Sequence, residues 1–378
     1  MQDDFMRLFR IGNNWKNVLY IHTPFCLQKC SYCVYPSTSK FTQKDISNFY
    51  EVILPSQIKS YKLLFQNAII DEVYFGGGTP TIANADKLEA IYIQIPNFRN
   101  IPIKSTEASP FTLTDEHIAL FHKYKFSYVS LGVQSLSRKI LTKNNRLLVT
   151  RERLKEICGK LDRTGVIYNL DLICYLDKGD ERDIAQFRGD LEYVLKELKP
   201  VSITVHSNHI AKPSRIKTRA LLCLIKDCLG VHSEYKCVNS LLRIQDVSND
   251  MLLNAEYKLL RKSFGFFNYL WDKYPAMPPY GYNVIALGSN RKFDIFVNSN
   301  VGVCGFSPKT NRVLPIPIDP RKKIISDSIR KKLGLPYYSR SQFFFDGEDK
   351  KKFTNLFIEK LTDLKDISAG LKYMKLAF

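Results

Sequence analysis

The chain has 378 residues, 45% of them hydrophobic, and a formal net charge of +19. It can therefore bury a sizeable core, as one elaborated barrel or a large domain with a smaller one. No apolar run is long enough to span a bilayer. Nine cysteines, an odd total, argue against a disulfide framework. Met1-Gln-Asp-Asp-Phe5 lacks the basic-then-apolar pattern of a secretory signal. A cytoplasmic chain with reduced thiols is the expectation. The excess of positive charge suits an acidic protein partner, an anionic substrate or nucleic acid. The basic residues are spread along the chain with no dense arm, so nucleic acid is not the expected partner.

Residues 1–17 read as a lead-in. From Val18 the chain alternates apolar runs with amphipathic ones, the pattern of βα units around a parallel sheet. Strands are predicted at Val18–His22, Glu72–Phe75, Ile103–Glu107, Tyr128–Val133, Ile167–Cys174 and Val201–His206. Helices are predicted at Lys44–Phe65, kinked or split by Pro55, from Asp115 after an N-cap at Thr114, at Arg151–Arg163 and at Glu181–Leu198. Six strands with right-handed crossovers make a partial (β/α)6 barrel over residues 18–212. The rhythm fades after Lys212. Residues 213–378 read as a mixed α/β cap closing the open side, with helix-like runs at Arg219–Leu229 and Met251–Ser263.

The chemistry is concentrated after the first strand. Cys26, Cys30 and Cys33 stand in Tyr20-Ile-His-Thr-Pro-Phe-Cys26-Leu-Gln-Lys-Cys30-Ser-Tyr-Cys33. Three such thiolates bind metal, oxidise, or stay protonated. Structural zinc takes four ligands, whereas three cysteines on a four-iron cube leave one iron open. Every other motif falls at or just after a strand's C-terminal end, where α/β barrels build their sites. These are Gly76-Gly77-Gly78-Thr79-Pro80, Ser105-Thr-Glu107, Leu131-Gly132-Val133-Gln134 with Arg146 twelve residues on, and Asn169-Leu-Asp171. Cys223, Cys228 and Cys237 are close enough to raise an auxiliary metal site, although small buried hydrophobes suit them better.

The cysteine spacing, with Tyr32 before the last cysteine, resembles the radical S-adenosylmethionine (SAM) superfamily. The Tyr20-Ile-His22-Thr-Pro24-Phe25 lead-in is similar to the branch containing oxygen-independent coproporphyrinogen III oxidase, haem chaperones and a set of radical SAM methyltransferases. The resemblance implies a 4Fe-4S cluster on Cys26, Cys30 and Cys33. It implies SAM held by Tyr20, Tyr32, Gly77, Gly78, Thr79, Glu107, Gln134, Arg146 and Asp171, with room for a second SAM. It also implies reductive cleavage of SAM to a 5′-deoxyadenosyl radical that takes hydrogen from carbon. The electron would come from an acidic carrier such as flavodoxin or ferredoxin, steered by the basic surface.

The departures concern the substrate. The oxidase carries a further cysteine two residues beyond the third, where this chain has Tyr35, and a longer N-terminal extension. Ile173-Cys174-Tyr175 replaces the usual Gly-Leu-Pro turn, and His206-Ser-Asn-His209 replaces the usual Ser-x-Tyr pattern. The expectation is a radical SAM enzyme modifying a specialised metabolite or a peptide at carbon, with methyl transfer as one outcome. The alternative is a porphyrin- or haem-handling enzyme, or a haem chaperone with His206 and His209 as axial ligands. Asn268–Trp271 and Tyr280–Gly288 echo weaker segments of the branch; Tyr280, Tyr282 and Cys304 are candidate hydrogen donors.

Overall fold

The computed structural model describes residues 16–33, 35, 37–60, 69–177, 181–207, 215–244, 253–261, 282–288, 295–299, 302–307 and 312–315. Six strands follow one another as β1 (Lys16–Thr23), β2 (Glu72–Gly77), β3 (Ile103–Ala108), β4 (Tyr128–Gln134), β5 (Tyr168–Cys174) and β6 (Ser202–Ser207). Each pairs in parallel with the next. Among the described residues no pairing joins β6 back to β1, as in a partial barrel.

The helices between the strands are α1 (Gln43–Asn48), α2 (Leu54–Ser60), α3 (Ala85–Tyr92), α4 (Asp115–Lys123), α5 (Arg138–Lys143), α6 (Arg151–Thr164) and α7 (Glu181–Tyr193). Local chemistry explains their ends. Thr114 caps α4 by accepting from the His117 backbone N–H, and His117 Nδ1 accepts from the Thr114 N–H at 3.2 Å, a capping box with histidine as the reciprocal partner. Gly165, at φ +70°, closes α6. The predicted Lys44–Phe65 helix is split by a π-turn at Phe49–Ile53. The π-turn runs without a break into α2, the Leu54 N–H bonding Phe49 O, and Pro55 follows where this wider turn already interrupts the regular i→i−4 ladder. The predicted Glu181–Leu198 helix likewise ends in a π-turn at Val194–Leu198.

The described part of residues 213–378 extends this sheet at both edges. After α8 (Arg215–Val231), β7 (Tyr235–Ile244) and β8 (Leu253–Arg261) add antiparallel strands beyond β6. The expected helix at Met251–Ser263 is thus a strand over Leu253–Arg261. Leu253, Ala255, Tyr257 and Leu259 alternate with Asn254, Glu256 and Lys258, which is a period of two. At the other edge β9 (Tyr282–Leu287) lies parallel to β1, as a seventh parallel strand among the described residues. Antiparallel β10 (Ile295–Ser299), β11 (Gly302–Ser307) and β12 (Arg312–Pro315) follow it.

The core lies between the sheet and the helices. Leu19, Ile21, Val73, Phe75, Val129, Leu131, Leu170, Leu172, Ile203 and Val205 are buried there. The residues that alternate with them point to the other face: Tyr20, His22, Tyr74, Ser105, Glu107, Ser130, Asn169, Asp171, Ser202 and Thr204. Cross-strand register keeps that face together, with Tyr20 opposite Tyr74, Glu107 opposite Ser130, and Asn169 opposite both Ser130 and Ser202.

Candidate active site at the C-terminal ends of the parallel strands

β1 runs into the cysteine loop, which closes on itself. The Cys26 N–H donates to Thr38 O at 3.0 Å and the Thr38 N–H to Pro24 O at 2.8 Å. Lys29 Nζ donates to Tyr35 O at 2.6 Å and to Ser37 Oγ at 3.0 Å. The loop is also pinned from outside. Asn144, buried at the end of α5, accepts from Ser31 Oγ at 2.6 Å and donates from its amide to Leu176 O at 2.9 Å, beyond β5. Cys30 and Tyr32 are buried with Ile140, Ile173 and Leu176, while Cys26 and Cys33 are half-buried. Burial pushes the Cys33 thiol upward, and it pushes the Tyr32 phenol well above its ordinary range.

The glycines after β2 face this loop directly. The Gly78 N–H donates to Thr23 O at 2.6 Å and the Thr79 N–H to Phe25 O at 2.8 Å. A Cβ on Gly78 would sit 2.3 Å from Phe25 O, inside backbone that cannot yield. Gly77, at φ +104°, would place one 2.4 Å from the His22 imidazole. The absence of a Cβ at Gly77 and Gly78 lets the β2 turn lie against the cysteine loop. Thr79 Oγ1 ends 3.7 Å from Cys26 Sγ.

The next strands add charge. Glu107, half-buried, accepts from Tyr74 Oη at 2.6 Å and from the Gly77 N–H at 3.2 Å. Burial, with the Asp171 charge beside it, raises its carboxyl to about 7 against those two donors. At the end of β4 a bulge between Gly132 and Gln134 puts Gln134 at φ +73°. Its Oε1 is buried with no hydrogen-bond partner among the described residues. Such strain concentrates where a side chain must be aimed. Asp190 of α7 fastens the chain that follows, accepting from Ser135 Oγ at 2.6 Å and from the Leu136 N–H at 3.0 Å.

Arg146 reaches in behind α5. Its Nη1 lies 3.5 Å from Cys30 Sγ, its Nη2 donates to Gly132 O, and a Cβ on Gly132 would meet Nη2 at 3.0 Å. No carboxylate among the described residues stands within ion-pair distance of it. Asp171 accepts from Ser130 Oγ at 2.8 Å and from Asn169 Nδ2 at 2.6 Å. Tyr20 Oη is 3.0 Å from His22 Nδ1, and its ring stacks on Tyr74 with centroids 5.9 Å apart.

The predicted site residues thus gather at one end of the parallel sheet. His22, Tyr74, Asn144 and Asn169 take part without having been singled out. His22 and Asn169 stood inside quoted motifs; Tyr74 and Asn144 act through partners remote in sequence, which no local pattern discloses. The other candidate metal group does not assemble. Cys223 is exposed and Cys228 buried on α8, Cys237 is half-buried on β7, and the described residues contain no three His, Cys, Asp or Glu side chains converging on a single ion. Cys304 sits on β11, and Tyr282 begins β9. His209, Asn268–Trp271 and Tyr280 lie outside the described residues, as do 1–15. No helix among the described residues is long and apolar enough to cross a membrane.

Residues 20–191 match the sequence model of the Radical SAM superfamily. The oxygen-independent coproporphyrinogen-III oxidase-like protein HemZ of Bacillus subtilis is 28% identical over 205 residues, 52% of this chain and 40% of that protein. The heme chaperone HemW of Buchnera aphidicola is 26% identical over 181 residues, 47% of each chain. The chain spans about half the length of the curated relatives it matches. Coproporphyrinogen III oxidase HemN of Escherichia coli superposes with a TM-score of 0.62 at 16% identity, covering 94% of this chain and 78% of that one, which is a likeness of fold.

The matched family model carries the expectation of a 4Fe-4S cluster and SAM, and the residues present fit both. A four-iron cube takes each thiolate on its own iron, so three cysteines spread along one loop suit it without converging on a point. None of the three is in a disulfide. The fork of Arg146, without a carboxylate partner among the described residues, suits the carboxylate end of an amino acid. The orphaned Gln134 Oε1 suits a donor on the same ligand.

Proposed function

We propose, from the premise that residues 20–191 are a radical SAM domain of the oxygen-independent coproporphyrinogen oxidase-like branch, that this chain binds a 4Fe-4S cluster and SAM and handles a porphyrin or haem. The observation that carries the reading is the convergence of the cysteine loop, Glu107, Gln134, Arg146 and Asp171 on one end of the sheet. The names of the relatives, oxidase-like protein and heme chaperone, support the tetrapyrrole half. They support it over carbon methylation of a specialised metabolite or peptide, the leading reading of the sequence.

When bound, the cluster and SAM supply one-electron reductive cleavage of the sulfonium. The chain's own contributions are positional. Cys26, Cys30 and Cys33 are the iron ligands. Arg146 offers its fork to the SAM carboxylate, and Glu107, oriented by Tyr74, accepts from the SAM ammonium. Asp171 accepts from a ribose hydroxyl. Tyr20, with His22 and Tyr74 packed about it, limits water on the β1–β2 side. One SAM satisfies these residues. The electron donor is a small acidic carrier such as flavodoxin or ferredoxin, for which exposed Leu27 and Tyr35 with Lys29, whose Nζ donates to Tyr35 O, offer apolar surface beside a basic group.

The test is to reconstitute the protein without oxygen, add SAM and dithionite, and identify the nucleosides by mass spectrometry, then titrate haem. A Soret shift on haem binding, with or without 5′-deoxyadenosine, supports the reading; the nucleoside separates an enzyme from a chaperone. S-adenosylhomocysteine together with 5′-deoxyadenosine, and no haem binding, would return the chain to methyl transfer.

A further inference from the structure

Beneath the site, β4, β5 and β6 share a buried hydrogen-bond network, which the Tyr128 hydroxyl joins through Ser130, Ser202 and Thr204. Asn169 is wholly buried, as are Ser202 and nearly so Thr204 and Ser130. Ser202 Oγ and Thr204 Oγ1 lie 2.8 and 3.0 Å from Asn169 Oδ1. Asn169 Nδ2 lies 2.6 Å from Asp171 Oδ1 and 2.8 Å from Ser130 Oγ. Ser130 Oγ lies 2.8 Å from Asp171 Oδ2.

The direction of the bonds through Asn169 and Asp171 follows from one constraint. Asp171 offers its oxygens as acceptors, so the Asn169 atom 2.6 Å from Oδ1 must be the nitrogen; the flipped amide would press two acceptors together. Oδ1 of Asn169 then faces β6 and accepts from both hydroxyls. The second amide proton goes to Ser130 Oγ, which, having accepted, gives its own proton to Asp171 Oδ2. Each carboxylate oxygen is thereby held from below by one donor, and their remaining lone pairs are left for the cavity that Glu107 also faces.

We propose that Asn169 is a positioning residue for cofactor binding: anchored by the β6 hydroxyls Ser202 and Thr204, it aims the Asp171 carboxylate, with Ser130 as its relay. The role is not catalytic, since Asn169 is sealed from the cavity. It rests on the reading that Asp171 touches SAM, and the experiment separates the two.

The measurement is SAM affinity by calorimetry on the anaerobically reconstituted full chain, with iron content and melting temperature recorded for each variant. D171N tests the underlying reading; if it binds SAM as tightly as the wild type, that reading falls and the inference falls with it. If D171N weakens SAM, the double-mutant cycle decides. Asn169→Ala is expected to weaken SAM about tenfold, in the range found when a group orienting a ligand is removed. In the D171N background the same substitution is expected to change affinity less than twofold. An unchanged affinity in N169A, or a tenfold loss that persists in D171N, overturns the proposal. Should N169A fail to fold, Ser130→Ala removes the relay, the donor to Oδ2 together with the acceptor for the second Asn169 amide proton, and carries the same cycle, with the same two overturning outcomes.

Discussion

The two faces of the parallel sheet obey different rules. Toward the helices, Leu19, Val73, Leu131, Leu170 and Ile203 form one continuous apolar layer. Toward the interior, the residues between them are Tyr20, Tyr74, Gly132, Asn169 and Ser202. A parallel strand covered on both sides usually reads as an unbroken apolar run. Alternation inside such strands, as in Tyr168-Asn-Leu-Asp-Leu-Ile, marks a face kept polar for something other than packing. The outer face carries stability, and in the proposed function the inner face carries binding.

Four experiments break or sharpen that division. The largest effect is Cys30→Ala, expected to reduce reconstituted iron to near zero by colorimetric assay while leaving the chain folded by circular dichroism, because a small apolar side chain can take the buried site. Leu170→Ala comes next. It empties a fully buried outer position and is expected to cost about 2–5 kcal/mol in urea unfolding. The SAM affinity of the folded fraction should be unchanged; a loss there would show that the faces are not separable.

Glu107→Gln tests the inner face with a sign. Burial raises the folded carboxyl to about 7 from an ordinary 4.5, so the folded state prefers the protonated acid. Its contribution to stability is full below pH 4.5 and is lost as pH rises through 7. The amide is therefore expected to stabilise the cluster-free chain at pH 8 by about 1–3 kcal/mol and to have no effect near pH 4.5. The Tyr74 hydroxyl can reverse its role to accept from the new amide. The same change should abolish SAM binding, and in the wild type that binding should weaken as pH falls through about 7. Gln134→Gly has the smallest effect. Relieving the left-handed backbone should add about 1 kcal/mol to stability while weakening SAM binding. A destabilised Q134G would mean that the bulge is set by the side chain and not imposed by the strands.

This division explains what the sequence disclosed. The six strands, their C-terminal motifs and the cysteine loop were legible because each is local: an apolar run, a glycine cluster, a spacing of thiols. The strand at Leu253–Arg261 resembles a helix in sequence because Leu259 and Leu260 are adjacent apolar residues that suit either period. The π-turn at Phe49–Ile53 has no composition of its own. Asn144 and Tyr74 escaped because their partners, Ser31 and Glu107, lie 113 and 33 residues away. The pairing of β9 with β1 escaped for the same reason, since Tyr282 meets Lys16 across most of the chain.

That last pairing bears on how the molecule is made. The Gly288 N–H donates to Gln57 Oε1 at 2.7 Å, and a Cβ on Gly288 would lie 2.3 Å from His22 O, at the root of the cysteine loop. While the chain is being synthesised, β1 remains an open edge until residues 282–288 arrive. The wall behind the cysteine loop is thus the last parallel strand to be laid, with only the antiparallel β10, β11 and β12 after it, and on the proposed function iron uptake should be confined to nascent chains that have passed residue 288. Until then three reduced thiols and an unpaired strand stand together on the growing protein, a period in which oxygen and neighbouring chains are its principal hazards.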